Sequence, residues 1–368
     1  MKRRLAVIFT ATLFLACATG NNRYGRQGGF VFNVINNGTG TAVEITRYVG
    51  SSTVVRIPLQ IRGLPVTHIG ARAFSLNQLS GVVIPYGVTH IGEAAFAVNQ
   101  LSAVVIPDSV TYIGNSAFGE NRLTGVRIPA GVTSIGDWTF VSNRLSGVTI
   151  PDGVTHIGQM AFGANQLTSV AIPNSVTGIG SGAFFRNQLT SIVIPDSVTA
   201  IGNEAFAVNR LTNVAIPDSV LLIGERAFAQ NELTSVTIGN GVTHIGAAAF
   251  AGNRLSGVTI PDSVTVIGNE AFAVNRLTSV VIPDSVTAIT RGAFAYNFLT
   301  NVVIPNSVTV IGEGAFYRNQ LSGVTIPDSV THIEAGAFAI NRLTNVSVAS
   351  HTQIHPTTFE AGVTVTRR

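Results

Sequence analysis

Most residues equipped for chemistry in this 368-residue chain recur in columns. Aspartate follows proline at Asp108, Asp152, Asp196, Asp218, Asp262, Asp284 and Asp328. Stacked carboxylates suit Ca2+, which takes about six to eight oxygen ligands. Asn174, Asn240 and Asn306 fill the same slot elsewhere, however, and no Gly-rich acidic loop surrounds it. The column therefore reads as turn residues that bond nearby backbone. His68, His90, His156, His244 and His332 share a second slot, which Tyr112, Ala200 and Leu222 fill in other repeats. A zinc centre needs three or four convergent ligands, and only His68 and His90 fall in adjacent repeats. His156 follows Asp152 within one extended segment, which gives no triad geometry. The sequence shows no phosphate loop, no acid/base carboxylate pair and no cysteine cluster. It predicts no catalysis, no cofactor and no metal. Cys17 is the single cysteine, so a disulfide framework within the chain is excluded.

The elements behind these columns are set by one period. Phenylalanine recurs every 22 residues from Phe74 to Phe338, asparagine follows three places later from Asn77 to Asn341, and leucine two places after that from Leu79 to Leu343. A period of this size held for thirteen cycles means a stacked solenoid. Leu189–Arg210, LTSIVIPDSVTAIGNEAFAVNR, serves as the unit. Its β-branched start predicts a short strand over Leu189–Ile194. Pro195-Asp196-Ser197 makes a turn, because proline presets φ and lacks a donor. Val198 to Ile201 is a second extended piece, and Gly202 permits a sharp bend. Asn203–Phe206 is long enough for one helical turn. Leu189, Ile192, Ile194, Val198, Ile201, Ala205 and Phe206 point inward. Burying each large one contributes roughly 1.5–3 kcal/mol, against about 1.5 kcal/mol per ordered residue. One coil cannot fold alone, so stacking supplies the remainder. Phe96, Phe118, Phe206 and Phe272, with Asn99, Asn121, Asn209 and Asn275, are read as a structural ladder, the amides bonding turn backbone from coil to coil. At the usual strand spacing the stack is on the order of 60 Å long.

The pattern L-x-x-V-x-I-P-x-x-V-x-x-I-G-x-x-A-F-x-x-N resembles the BspA-like, or Treponema pallidum-type, leucine-rich repeat. Leu101, Val104, Ile106, Pro107, Val110, Ile113, Gly114, Ala117, Phe118 and Asn121 carry it in one coil. Two departures stand out: the family unit is usually about 23 residues, and it often has Cys where this chain has Asn. The resemblance implies a leucine-rich-repeat solenoid with a parallel sheet, and a role in adhesion to host or neighbouring cell surfaces.

Residues 1–16 read as a signal peptide, with Lys2, Arg3 and Arg4 before an apolar run too short for a permanent span. Phe14-Leu15-Ala16-Cys17 resembles a bacterial lipoprotein box, which makes Cys17 the expected lipidation site and residues 17–29 a lipidated flexible tether. Residues 30–65 are read as an N-terminal β cap with an opening repeat, 66–346 as the repeats, and 347–368 as a C-terminal cap. The caps shield the open core and the sheet edges. The net charge of +4 owes three charges to the leader; beyond it stand 19 Arg against 18 acids. Nucleic acid is therefore not expected as a partner.

Departures from the consensus mark candidate contacts. Tyr296, Phe298, Tyr317 and Arg318 stand where other coils carry Ala, Val, Gln or Arg, and Trp138, Phe185 and Arg186 are similar breaks. Aromatic residues with Arg are the composition of binding hot spots. A column of Arg and Gln runs along the coils as a rim of donors. Together these features predict an exported cell-envelope lipoprotein, anchored at the outer-membrane surface, that binds a protein or another cell-surface macromolecule. The alternative is a passive structural or antigenic spacer.

Overall fold

The computed structural model describes residues 24–368. The expected signal peptide and Cys17 lie outside the described residues. From Phe74 onward the chain is a parallel β-solenoid of stacked 22-residue coils, the class expected from the period. One ladder uses two residues per coil: Ile201 pairs with Ile179 on one side and Ile223 on the other. It runs through seven strands from Ser134–Ile135 to Val266–Ile267, and a further four from Ala288–Ile289 to Gln353–Ile354. Gly202 follows its strand at a point where the coils touch, and glycine takes the same place in most coils, with Thr290 and Glu334 among the exceptions. A Cβ at Gly202 would lie 2.6 Å from the carbonyl carbon of Gly180 and from the amide nitrogen of Ser181 in the preceding coil.

Inside, one phenylalanine per coil stacks on the next from Phe74 to Phe359. Ring centroids lie 5.1–5.7 Å apart and planes tilt by 1–14°. Leu189, Val198, Ile201, Ala205 and Phe206 are fully buried around that column. Tyr48 and Phe30 close its N-terminal end against Phe74.

The N-terminal cap turns an antiparallel meander into the parallel stack. Strand β1 (Tyr24–Gln27) is antiparallel to β2 (Phe30–Asn36), which is antiparallel to β3 (Thr41–Tyr48). β4 (Val54–Arg56) pairs with Gly81–Val83, and β5 (Gln60–Ile61) with β6 (Leu64–Ile69). β6 then lies parallel to β3 and to His90–Ile91, so a paired strand covers the first coil edge. The sequence places Tyr24–Gln27 in the flexible tether; the structure makes it β1. Gly25 is the reason: a Cβ there would fall 2.3 Å from the Phe32 ring, so glycine lets this strand lie on a buried aromatic.

Two details of the coil differ from the sequence reading. The stretch Asn203–Phe206 is not a helical turn, and no helix occurs among the described residues. Glu204 and Val208 have φ of 56° and 58°. The N–H groups of Glu204, Phe206 and Val208 donate to the carbonyls of Glu225, Ala227 and Ala229 in the next coil, at 2.7–2.9 Å. Backbone groups that a helix would satisfy internally are spent on the neighbour, and this turn becomes another inter-coil ladder. The second difference is at Leu189–Ile194, which carries no strand ladder. Pairing on that face is confined to segments such as Asn213–Ala215 with Ser235–Thr237 and to single bridges. The spacing explains it. The bond from Thr190 N–H to Thr168 O is 3.3 Å and that from Thr212 N–H to Thr190 O is 3.4 Å, whereas Phe184 N–H to Ala205 O is 2.8 Å. Coils sit closer at the phenylalanine turn than at the first extended segment.

Candidate binding edge

The polar columns divide by burial. Each asparagine from Asn99 to Asn319 is only 4–8% exposed. Asn209 shows the pattern: its Nδ2 donates to Phe206 O at 3.0 Å, to Ala207 O at 3.4 Å and to Phe184 O of the preceding coil at 2.9 Å. Its Oδ1 accepts the N–H of Leu189 at 3.0 Å. Asn99, Asn121 and Asn275 do the same in their coils. An amide fully engaged on backbone has nothing left for a ligand.

The aspartates are exposed at the proline turn. Asp108 pairs with Arg127 at 2.6 Å, Asp328 with Arg368 at 2.7 Å, and Asp218 accepts the Asn240 N–H at 2.6 Å. Among the described residues no three His, Cys, Asp or Glu side chains converge as a metal would need. Each histidine of the second column sits against the preceding threonine, as in His68 Nδ1 to Thr67 Oγ1 at 2.8 Å. His68 and His90 stack at 4.3 Å, and Tyr112 follows. Burial, with the positive charge of His90 beside it, lowers the pKa of His68 below the usual value.

The consensus breaks fall mostly on one edge. Trp138, Phe185, Arg186, Tyr296, Tyr317 and Arg318 all project from the phenylalanine turn. Tyr296 and Tyr317 meet edge to face at 5.4 Å, and the Arg318 guanidinium lies 5.6 Å from the Tyr296 ring centre. The two tyrosines line a recess of about 540 Å3, which the Arg291–Glu270 ion pair at 3.0 Å and Glu313 also line. Arg186 lies over its neighbour Phe185 at 5.1 Å. Trp138, half-buried, lines a separate recess of about 460 Å3 with Ala97, Val98, Gly119 and Val141. Phe298 does not join the tyrosines. It is 48% exposed, two residues on, in the column held elsewhere by Arg, Gln and, once, Glu232.

The floor of the larger recess is a feature the sequence reading passed over. Gly292, Gly314 and Gly336 occupy one slot in three successive coils, with φ of 58–63°. In other coils that slot carries Trp138, Met160, Glu204 or Arg226, also at positive φ. Three missing side chains in a row open the hollow. The signal was available as the triplet Arg291-Gly292, Glu313-Gly314 and Ala335-Gly336, each before Ala-Phe.

These coils define a leucine-rich-repeat solenoid with a polar edge. The model of the BspA-type leucine-rich repeat region matches residues 67–188, 139–256 and 243–365, most of the chain. The chain belongs to the BspA-type leucine-rich repeat family. The fold is also that of a leucine-rich repeat protein from Bacteroides ovatus, 20% identical, with a TM-score of 0.56, covering 94% of this chain and 99% of that one. The pneumococcal vaccine antigen PcpA is similar at 18% identity and a TM-score of 0.54, covering 95% of this chain and 89% of that one. No curated protein matches the chain in sequence.

Proposed function

We propose that this chain is an exported, lipid-anchored protein of the cell envelope whose phenylalanine-turn edge binds a protein partner, as an adhesin does. The observation that carries the reading is the Tyr296–Tyr317–Arg318 cluster over its recess. Rigid aromatic rings beside a guanidinium and a hollow combine the anchor and the pocket on which interface energy concentrates. The rest of the coil supports this by elimination: its asparagines are consumed internally and its histidines do not converge. The leader and Cys17 supply export and the anchor at the outer-membrane surface.

A photoactivatable phenylalanine analogue placed at Tyr317 on intact cells tests the edge. A single crosslinked protein species, lost in an Arg318→Ala background and absent with the analogue at Val193, is the expected result. Equal labelling from both positions makes the chain a spacer without a dedicated ligand. Radiolabelled palmitate tests the anchor: incorporation is lost in Cys17→Ala, and undiminished incorporation removes Cys17 from the proposal.

A further inference from the structure

Charge is segregated around the coil although the chain beyond the leader is nearly neutral, with 19 Arg against 18 acids. The proline turn carries the aspartate column. The slot directly after the ladder asparagine carries the arginines. Arg122, Arg144, Arg210, Arg276 and Arg342 are exposed there, and among the described residues none of the five makes an ion pair. The one acid in that slot, Glu232, is taken by Arg254 at 2.8 Å. Arg144, Arg210, Arg276 and Arg342 recur every third coil, which is roughly 15 Å at parallel strand spacing. Gln166, Gln188 and Gln320 fill intervening coils, so donors continue along the line. Two residues further on, every coil from Ser80 to Thr344 presents an exposed Ser or Thr.

We infer that this ridge binds an acidic polysaccharide laid along the solenoid axis. Guanidinium groups present planar donor pairs that match carboxylate and sulfate oxygens. The glutamine amides and the hydroxyl column match the many hydroxyls of a sugar chain between its charged groups. Charge spacing and lining favour this polyanion over a nucleic acid strand. That strand carries a phosphate about every 3.4 Å and is gripped by successive aromatic platforms. On the ridge even neighbouring arginines, such as Arg122 and Arg144, stand a whole coil apart, the series from Arg144 to Arg342 recurs only every third coil, and there is one aromatic, Phe298. The ridge runs beside the tyrosine recess but does not use its residues, so the two surfaces are tested independently.

The test measures binding of the purified chain to dextran sulfate, polygalacturonate and neutral dextran by calorimetry at low and moderate salt. The two acidic polymers are expected to saturate and the neutral one not to bind; one of the two binding alone identifies sulfate or carboxylate as the recognised group. Changing Arg144, Arg210, Arg276 and Arg342 together to Gln should weaken binding at least about tenfold. The fold tolerates it, because Gln already occupies that slot in five coils. Changing Arg26, Arg47, Arg56 and Arg127 to Gln removes equal charge elsewhere and should weaken binding less than about threefold. Tyr296→Ala with Tyr317→Ala should leave polysaccharide binding unchanged. Equal losses in the two arginine variants, no binding to either acidic polymer, or tighter binding of oligothymidylate or polyglutamate would overturn the inference.

Discussion

The asparagine turn and the proline turn are two bends of the same coil, each marked by a polar residue recurring along the solenoid. At the first, Asn209 is buried and bridges two coils through its amide. At the second, Asp196 is exposed, and Asp108, Asp218 and Asp328 find three different partners in three coils. Regularity alone therefore does not reveal a role. What separates the columns is tolerance: Asn alone fills the first, while Asp, Asn, Ala130 and Tyr86 share the second. An invariant polar slot inside a repeat is the mark of buried satisfaction, and a degenerate one the mark of solvent.

The comparison breaks most sharply when the residues are exchanged. Asn209→Asp should destabilise by about 4 kcal/mol at neutral pH, because a buried carboxylate would face the carbonyls of Phe184 and Phe206. The introduced carboxyl has a folded-state pKa raised above its unfolded value, so it is tolerated at low pH and loses stability as pH rises. Asp196→Asn should shift stability by less than about 0.5 kcal/mol. Urea unfolding of both variants at two pH values checks this; equal shifts erase the distinction. Asn209→Ala should cost about 2–3 kcal/mol, the cost of orphaning the Leu189 N–H and the carbonyls.

A smaller effect concerns the phenylalanine turn. Val208 holds φ of 58°, a region β-branched residues rarely adopt. Val208→Gly should stabilise by up to about 1 kcal/mol, the relief of left-handed strain less the entropy cost of glycine. The smallest is at His68, whose folded pKa lies below its unfolded value. The unfolded chain then binds more protons at mildly acidic pH, so stability rises as pH climbs toward 6.5, the usual histidine value, and is lost below it. His68→Gln should flatten that slope in melting temperatures taken across the window; an unchanged slope would assign it to other groups.

The inward column, the asparagine ladder and the parallel stacking were legible because each is written out thirteen times. The phenylalanine turn was not, because Glu204 and Val208 give no hint of positive φ. Only Gly182, Gly252, Gly292, Gly314 and Gly336, scattered through the same two slots, betray that backbone. Lost pairing at Leu189–Ile194 depends on the distance between coils, a tertiary quantity that one coil's residues do not encode. Tyr296, Tyr317 and Arg318 could be read as departures, but grouping Phe298 with them ignored its slot, which faces the arginine ridge.

Residue-resolved hydrogen exchange addresses the shared interior most directly. The amides of Leu189, Leu211 and Leu233, each bonded to an asparagine of the next coil at 3.0 Å, should exchange only through global unfolding and with matching protection. The amides of Asp196 and Asp262 at the exposed proline turn should exchange orders of magnitude faster. Leucine amides that exchange as quickly as those aspartates would contradict a ladder of asparagines joining coil to coil.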